Sequence, residues 1–304
     1  MTHKKVLLVT KALAFIYISC AAIVWSGESP SDKLTVYVVN YPLKYFAERI
    51  AGDHTTVVFP APADQDPAFW MPDAKIISDY QSADLILLNG ANYAKWVGKV
   101  SLPQFRLVNT SASFKDQYIE TAEIVTHSHG PEGEHAHEAL AFTTWIDFSL
   151  AAKQAKAIAQ ALSRKKPALR ESFDRNYRAL EKDLMTLDRD IKEIVLRDPS
   201  KPLVASHPVY DYFASRYGLN IRGVHWEPDE VPSREQWVEL RDILKDHPAK
   251  WMIWEGDPIS EPVERLKTLG MDSLVFDPCG NIPERGDFLA VMQQNVENLK
   301  IVFQ

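Results

Sequence analysis

The chain has 304 residues, 46% of them hydrophobic and 25% charged, which is enough apolar material for one large or two medium domains. Its formal charge of -7 argues against a nucleic-acid partner, because phosphate binding calls for a basic face. Two cysteines, one of them inside an apolar N-terminal run, leave no disulfide framework to expect.

The N-terminus begins with Lys4, Lys5 and Lys11 and continues into the apolar run Ala12–Trp25, followed by polar residues. A basic start before a short apolar core is the pattern of a secretory signal, and the run is short against the about 20 residues of a membrane span. Residues 1–26 are therefore expected to be a signal peptide or lipoprotein signal, with Cys20 as a candidate for lipidation. The protein is expected to be exported, either periplasmic or membrane-anchored on the outer face of the inner membrane.

From Leu34 onward, strand-like and helix-like stretches alternate. "LTVYVVN" is β-branched, "YPLKYFAERIAGD" has helical apolar spacing and ends at Gly52, and "TTVVFP" and "DLILLNG" read as strands around the helical "AKIISDYQSA". The stretch Thr126–Glu138, "THSHGPEGEHAHE", has no apolar period and holds two His-x-His pairs, His127 with His129 and His135 with His137. Such segments chelate zinc or copper weakly. Asp147 is placed to cap the next helix. The longest periodic segment runs from Pro167 to about Leu196, with Leu169, Phe173, Tyr177, Leu180, Leu184, Leu187, Ile191 and Ile194 on one face.

The alternation then restarts with "PLVASH", the helical "YDYFASRYGL", the strand-like "NIRGVHW", the helical "EQWVELRDILKDH", "KWMIWEG", "PVERLKTLG" and "DSLVFDPCG". This order predicts an α/β fold: two lobes, each with a mainly parallel sheet flanked by helices, joined by one long rigid helix. The expected boundaries are 34–165 for the first lobe, with its His-rich loop at 126–138, then 166–198 for the connecting helix and 199–304 for the second lobe. Ligands in such sheets bind beyond the carboxyl ends of the strands, and a cleft between lobes is the natural place.

The ordered stretches "YPLKYFAERIAGDH", "ADLILLNGANYAKWV", "SHPVYDYFASRYGL", "DEVPSREQ", "WEGDP" and "FDPCG" resemble the extracytoplasmic substrate-binding proteins of zinc and manganese ABC importers. The resemblance covers about Leu34 to Phe303. It implies a metal held in the cleft by histidines and a carboxylate, with His207 and Asp277 as ligands and Glu255 at an acidic position that can approach the ion. It also implies a cargo of zinc, possibly manganese, and an ABC permease as partner, with the protein itself monomeric.

Two ligands of that pattern are missing. Ala68 stands in "DPA" where the family has Asp-Pro-His, and Thr143 stands in "FTTWID" two residues before Trp145 where a histidine is expected. A methyl group cannot coordinate a metal, and a neutral hydroxyl is a poor zinc ligand. The cleft site is therefore altered, or the His-rich loop supplies the missing imidazoles. Cys279 reads as a small buried residue, though a thiolate there would be a strong ligand.

A second reading keeps the fold but changes the cargo to an organic ligand or chelated metal, held by Trp70, Trp145, Trp226 and Trp254. Core packing is the other reading of these residues. A surface adhesin on the same scaffold is a further reading. His225 and His247 read as structural and His54 as a turn residue. No Gly-x-Ser-x-Gly, phosphate-cradling glycine loop or His-Glu-x-x-His occurs, so an enzyme is not expected.

Overall fold

The computed structural model describes residues 33–121 and 139–304. Cys20, His127, His129, His135 and His137 lie outside them. No described helix is long and apolar enough to cross a membrane.

The first lobe is built on strands β1 (Leu34–Val38), β2 (Thr55–Val58), β3 (Leu85–Leu88) and β4 (Leu107–Asn109). They form one parallel sheet in the order β2-β1-β3-β4. Helices α1 (Tyr41–Ala51) and α2 (Ala74–Ser82) make the crossovers. Each starts on a polar cap: Asn40 accepts from the Leu43 amide at 3.2 Å and Asp73 from the Ile76 amide at 2.8 Å. A two-residue antiparallel pair, β5 (Glu120–Thr121) with β6 (Ala139–Leu140), brackets the undescribed segment.

Helix α3 (Phe148–Lys165) follows, capped by Asp147, whose Oδ1 accepts from Ser149 N at 2.8 Å and Leu150 N at 3.2 Å. After a 3-10 turn at Pro167–Leu169 comes α4 (Arg170–Val195). Its 26 residues at about 1.5 Å each make a rod of about 39 Å. Its apolar face, from Phe173 to Ile194, is buried against α3 and α1 on one side. The other side packs on α5 (Asp211–Tyr217) and α8 (Phe288–Val302).

The second lobe repeats the plan. β7 (Pro202–Ala205), β8 (Asn220–Gly223), β9 (Trp251–Trp254) and β10 (Asp272–Val275) form a parallel sheet in the order β10-β9-β7-β8. That is the order of the first sheet read from the other edge. Helices α6 (Arg234–Asp246) and α7 (Ser260–Thr268) cover it, α6 opening on a capping box between Ser233 and Gln236. α8 was not anticipated from the sequence. It reaches back to the first lobe, where Phe288 meets Phe46 edge-on at 5.3 Å.

One difference from the sequence reading matters for function. "NIRGVHW" was expected to be strand throughout, but β8 ends at Gly223 and Val224–Glu227 is a strand-end loop. The backbone still follows its neighbour there: Val224 N donates to Ala205 O at 2.9 Å and Trp226 N to Ser206 O at 2.7 Å.

Candidate functional site

In a sheet of this order the crevice opens where crossovers leave the first and third strands in opposite directions. In the second lobe those strands are β7 and β9. His207 stands two residues beyond β7 and Glu255 one residue beyond β9. Ser206 N donates to Ile253 O at 2.8 Å, so the two strand ends are bonded side by side. His207 Nδ1 lies 3.9 Å from Glu255 Oε1, and Nε2 lies 3.6 Å from Oε1 of Glu227. The His225 ring packs edge-on to His207 with centroids 5.8 Å apart.

That Glu227 and His225 stand beside His207 is not anticipated by the sequence reading, which takes His225 as structural. The signal was His-x-Glu directly after a strand, hidden by extending that strand through it.

The corresponding positions in the first lobe carry amides. Asn40 follows β1 and Asn89 follows β3, both buried, with Asn40 Nδ2 donating to Asn89 Oδ1 at 3.2 Å. Gln154 of α3 donates to the same Asn89 oxygen at 3.1 Å and to Thr110 Oγ1 at 3.1 Å. This crevice is filled by a closed polar network and offers nothing to an ion.

The positions of the two missing histidines are filled as well. Ala68 is fully buried, its amide donating to Asp66 Oδ1 at 2.8 Å and its carbonyl accepting from Lys95 N at 3.2 Å. Thr143 is buried and donates through Oγ1 to Val209 O, across the cleft, at 2.6 Å. Trp145 Nε1 donates to Pro278 O at 2.7 Å, and Asn281 Nδ2 donates to Pro62 O and Gln65 O. The lobes thus meet through direct hydrogen bonds.

Asp277 follows β10, and its Oδ1 accepts from Cys279 N at 2.6 Å. Burial raises its carboxyl above the ordinary value, against the lowering effect of that amide. Glu255 is pushed to about 7, by burial first and then by the negative charges of Glu227, Asp66 and Asp277. Asp66 is also raised by burial, with the Ala68 amide, His207 and Lys95 pulling the other way. Three carboxylates, Glu227, Glu255 and Asp66, therefore lie near His207, with Asp277 close enough to act on Glu255, an electrostatic arrangement that favours a cation. Among the described residues, no three His, Cys, Asp or Glu side chains converge closely enough to hold an ion as they stand.

Cys279 is buried with φ of +57°, and burial together with Asp277 and Asp287 pushes its thiol well up, away from the thiolate a metal would need. The tryptophans do not line a pocket in the cleft. Trp226 and Trp254 are buried in the second lobe's core beside Trp237, with centroids 4.6 Å apart for Trp226–Trp237 and 6.1 Å for Trp226–Trp254. Trp145 is buried between the lobes, and Trp70 packs half-buried on the core of the first. His247 is buried and bonded to Leu203 O at 2.8 Å, as a structural residue.

Residues 36–302 match the family described as the zinc-uptake complex component A periplasmic, ZnuA. The chain belongs to this family. It is 27% identical over 308 residues to the zinc-binding lipoprotein AdcA of Streptococcus pneumoniae, covering 97% of this chain and 60% of that relative's length. It is 28% identical over 286 residues to the high-affinity zinc uptake system protein ZnuA of Bacillus subtilis, covering 90% and 89% of the two chains. Among solved structures, the Zn(II)-bound ZnuA-like domain of Streptococcus pneumoniae AdcA shares the fold, with a TM-score of 0.74, 23% identity, and coverage of 89% of this chain and 99% of that one.

Proposed function

We propose that this protein is the substrate-binding component of a divalent-metal ABC importer, carrying zinc, or manganese, to a permease. The observation that carries the reading is the placement of His207 among Glu227, Glu255 and Asp66 at the crevice of the second sheet, in a chain of this family. Relatives named as zinc-binding and zinc-uptake proteins support it. A site with few imidazoles and many carboxylates is less selective for zinc than a three-histidine site and admits manganese more readily.

The protein acts by binding and delivery, without chemical turnover, and works as a monomer in this reading. The basic-then-apolar N-terminal segment and the lipoprotein relatives favour export with Cys20 as an anchor point. His127, His129, His135 and His137 serve as a low-affinity metal collector in this reading.

The test is calorimetric titration of the protein with zinc and with manganese. One saturable tight site that His207→Ala abolishes supports the reading. Absence of any saturable site, or one indifferent to His207→Ala, refutes it.

A further inference from the structure

At one edge of the second sheet, β10 lies in an open groove between α7 and α8. We infer that this groove binds an extended segment of a protein partner, apolar and followed by basic residues, as a further parallel strand. None of the residues it needs is a candidate metal ligand.

The backbone of β10 alternates. Asp272 N donates to Lys250 O at 2.8 Å and Phe276 N to Trp254 O at 2.9 Å, so the even-numbered residues face β9. Ser273, Val275 and Asp277 therefore turn their N–H and C=O groups outward. α8 covers part of this outer row. Asn295 accepts from Asp277 N at 3.0 Å and donates to Asp277 O at 2.7 Å, and Asn298 Nδ2 donates to Val275 O at 2.9 Å. Among the described residues, what stays open to the groove is the N–H and C=O of Ser273 and the N–H of Val275. In a parallel ladder, one residue of the incoming strand donates to the residue before its partner and accepts from the residue after it. A residue opposite Leu274 would thus donate to Ser273 O and accept from Val275 N. The residue two before it would accept from Ser273 N. The open groups are those of a parallel strand that stops at Asn298.

The groove encloses about 620 Å³, and Trp251, Val263 of α7 and Ile301 of α8 give it apolar walls. Ile301 keeps 53% of its surface exposed, which an apolar side chain of the added strand would cover. Because the edge is recessed between two helices, a single slim strand reaches it. A second folded copy, with its own β10 equally recessed, does not. Charge sets the chemistry of the partner. Lys267 and Asp272 line the groove near the start of β10 and offset each other. Asp257 lines the far end, close enough for its charge to act on Asp277, and the whole chain carries -7. A Lys or Arg leaving the groove there meets carboxylates. The opposite edge differs, since β8 carries Arg222 paired with Asp246 at 2.8 Å, charges of the kind that guard an exposed strand.

The probes are the acetylated, amidated hexapeptide Thr-Val-Ile-Val-Arg-Arg, the same peptide N-methylated on its isoleucine, and a version with glutamates for the arginines. Binding to the full chain is followed by NMR at the amides of Ser273 and Val275, with Gly223 on the opposite edge as control. The first peptide should shift Ser273 and Val275 and leave Gly223 unmoved. N-methylation removes the donor that Ser273 O would accept and should weaken binding by about 3–10-fold. Val275→Pro removes the matching donor on the protein, at an edge position where a strand tolerates proline, and should weaken binding by about the same factor. Asp257→Asn should weaken the arginine peptide by about 2–5-fold. Thermal melting of Val275→Pro controls for folding.

No binding at millimolar peptide, or shifts confined to residues away from β10, overturns the assignment. So does an N-methylated peptide that binds as tightly as its parent, or a glutamate version that binds as well as the arginine one. If the same amides shift on raising the protein concentration alone, with a dimer in sedimentation, the edge belongs to a second copy and the peptide assignment fails. Should Val275→Pro not fold, the N-methylated peptide and Asp257→Asn still decide between these outcomes.

Discussion

Thr143 Oγ1 donates to the backbone carbonyl of Val209 at 2.6 Å, so a residue of the first lobe is bonded to the chain two residues beyond His207. A threonine that could not hold a metal instead joins the lobes. Thr143→Val keeps the shape and removes the donor, leaving a buried carbonyl without it. The expected loss is about 1–3 kcal/mol of stability, with faster hydrogen exchange at the cleft. Unchanged stability and exchange would show that the contact holds nothing together.

Returning a histidine to position 68 should not restore a family-type site. Ala68 has no exposed surface, and an imidazole there overfills a packed wall. Ala68→His is expected to lower stability by about 1–3 kcal/mol in thermal or urea unfolding. A variant of full stability with raised zinc affinity would contradict this.

Glu255 gives the cleft a pH dependence of definite sign. Its folded value of about 7 lies above the ordinary carboxylate value, for which burial and then Glu227, Asp66 and Asp277 are responsible. Its contribution to the metal-free fold is therefore present at low pH and lost as pH rises from about 4.5 through about 7. Glu255→Gln should flatten that part of the stability profile and make the protein relatively more stable at pH 8. A cation binding there favours the ionised form, so uptake below about pH 7 should release a proton. Calorimetry in buffers of different ionisation enthalpy measures that release.

Asp188 behaves oppositely. It is buried on α4 and accepts from Arg216 Nε at 2.8 Å and Lys192 Nζ at 2.8 Å. Burial would raise its carboxyl, but the hydrogen bonds from Arg216 and Lys192 win and hold it below the usual value. Stability from this group is present above about pH 4 and lost as pH falls through the depressed value. Asp188→Asn should cost about 2–3 kcal/mol at pH 7 and less near pH 3, read from urea midpoints. Equal cost at both pH values would rule out the ionic account.

The sequence carried the alternation of strands and helices well, since inner strands such as β3, β7 and β9 are largely buried and are short apolar runs bounded by turns. The apolar stripe from Phe173 to Ile194 gave the long helix directly. α8 was missed because it is apolar over much of its surface, including Met292, Val296 and Leu299 in the core, and lacks a clear polar face. At the site, His207 was singled out by the family resemblance of "SHPVYDYF".

That Glu227 and His225 stand beside His207 was not visible. The adjacency depends on β8 lying next to β7 and ending at Gly223, and strand order is fixed by packing between distant segments. The filling of the first crevice by Asn40, Asn89 and Gln154 was hidden for the same reason, since 114 positions separate Asn40 from Gln154 in the chain.

The rod of α4, gripped by helices from both lobes, has a thermodynamic consequence. Lobes that are already in contact through Thr143, Trp145 and Asn281 do not have to close further for those contacts to form. Nor does ion capture withdraw fresh apolar surface from water, so its heat-capacity change should be close to zero. The enthalpy of capture should accordingly stay nearly constant with temperature.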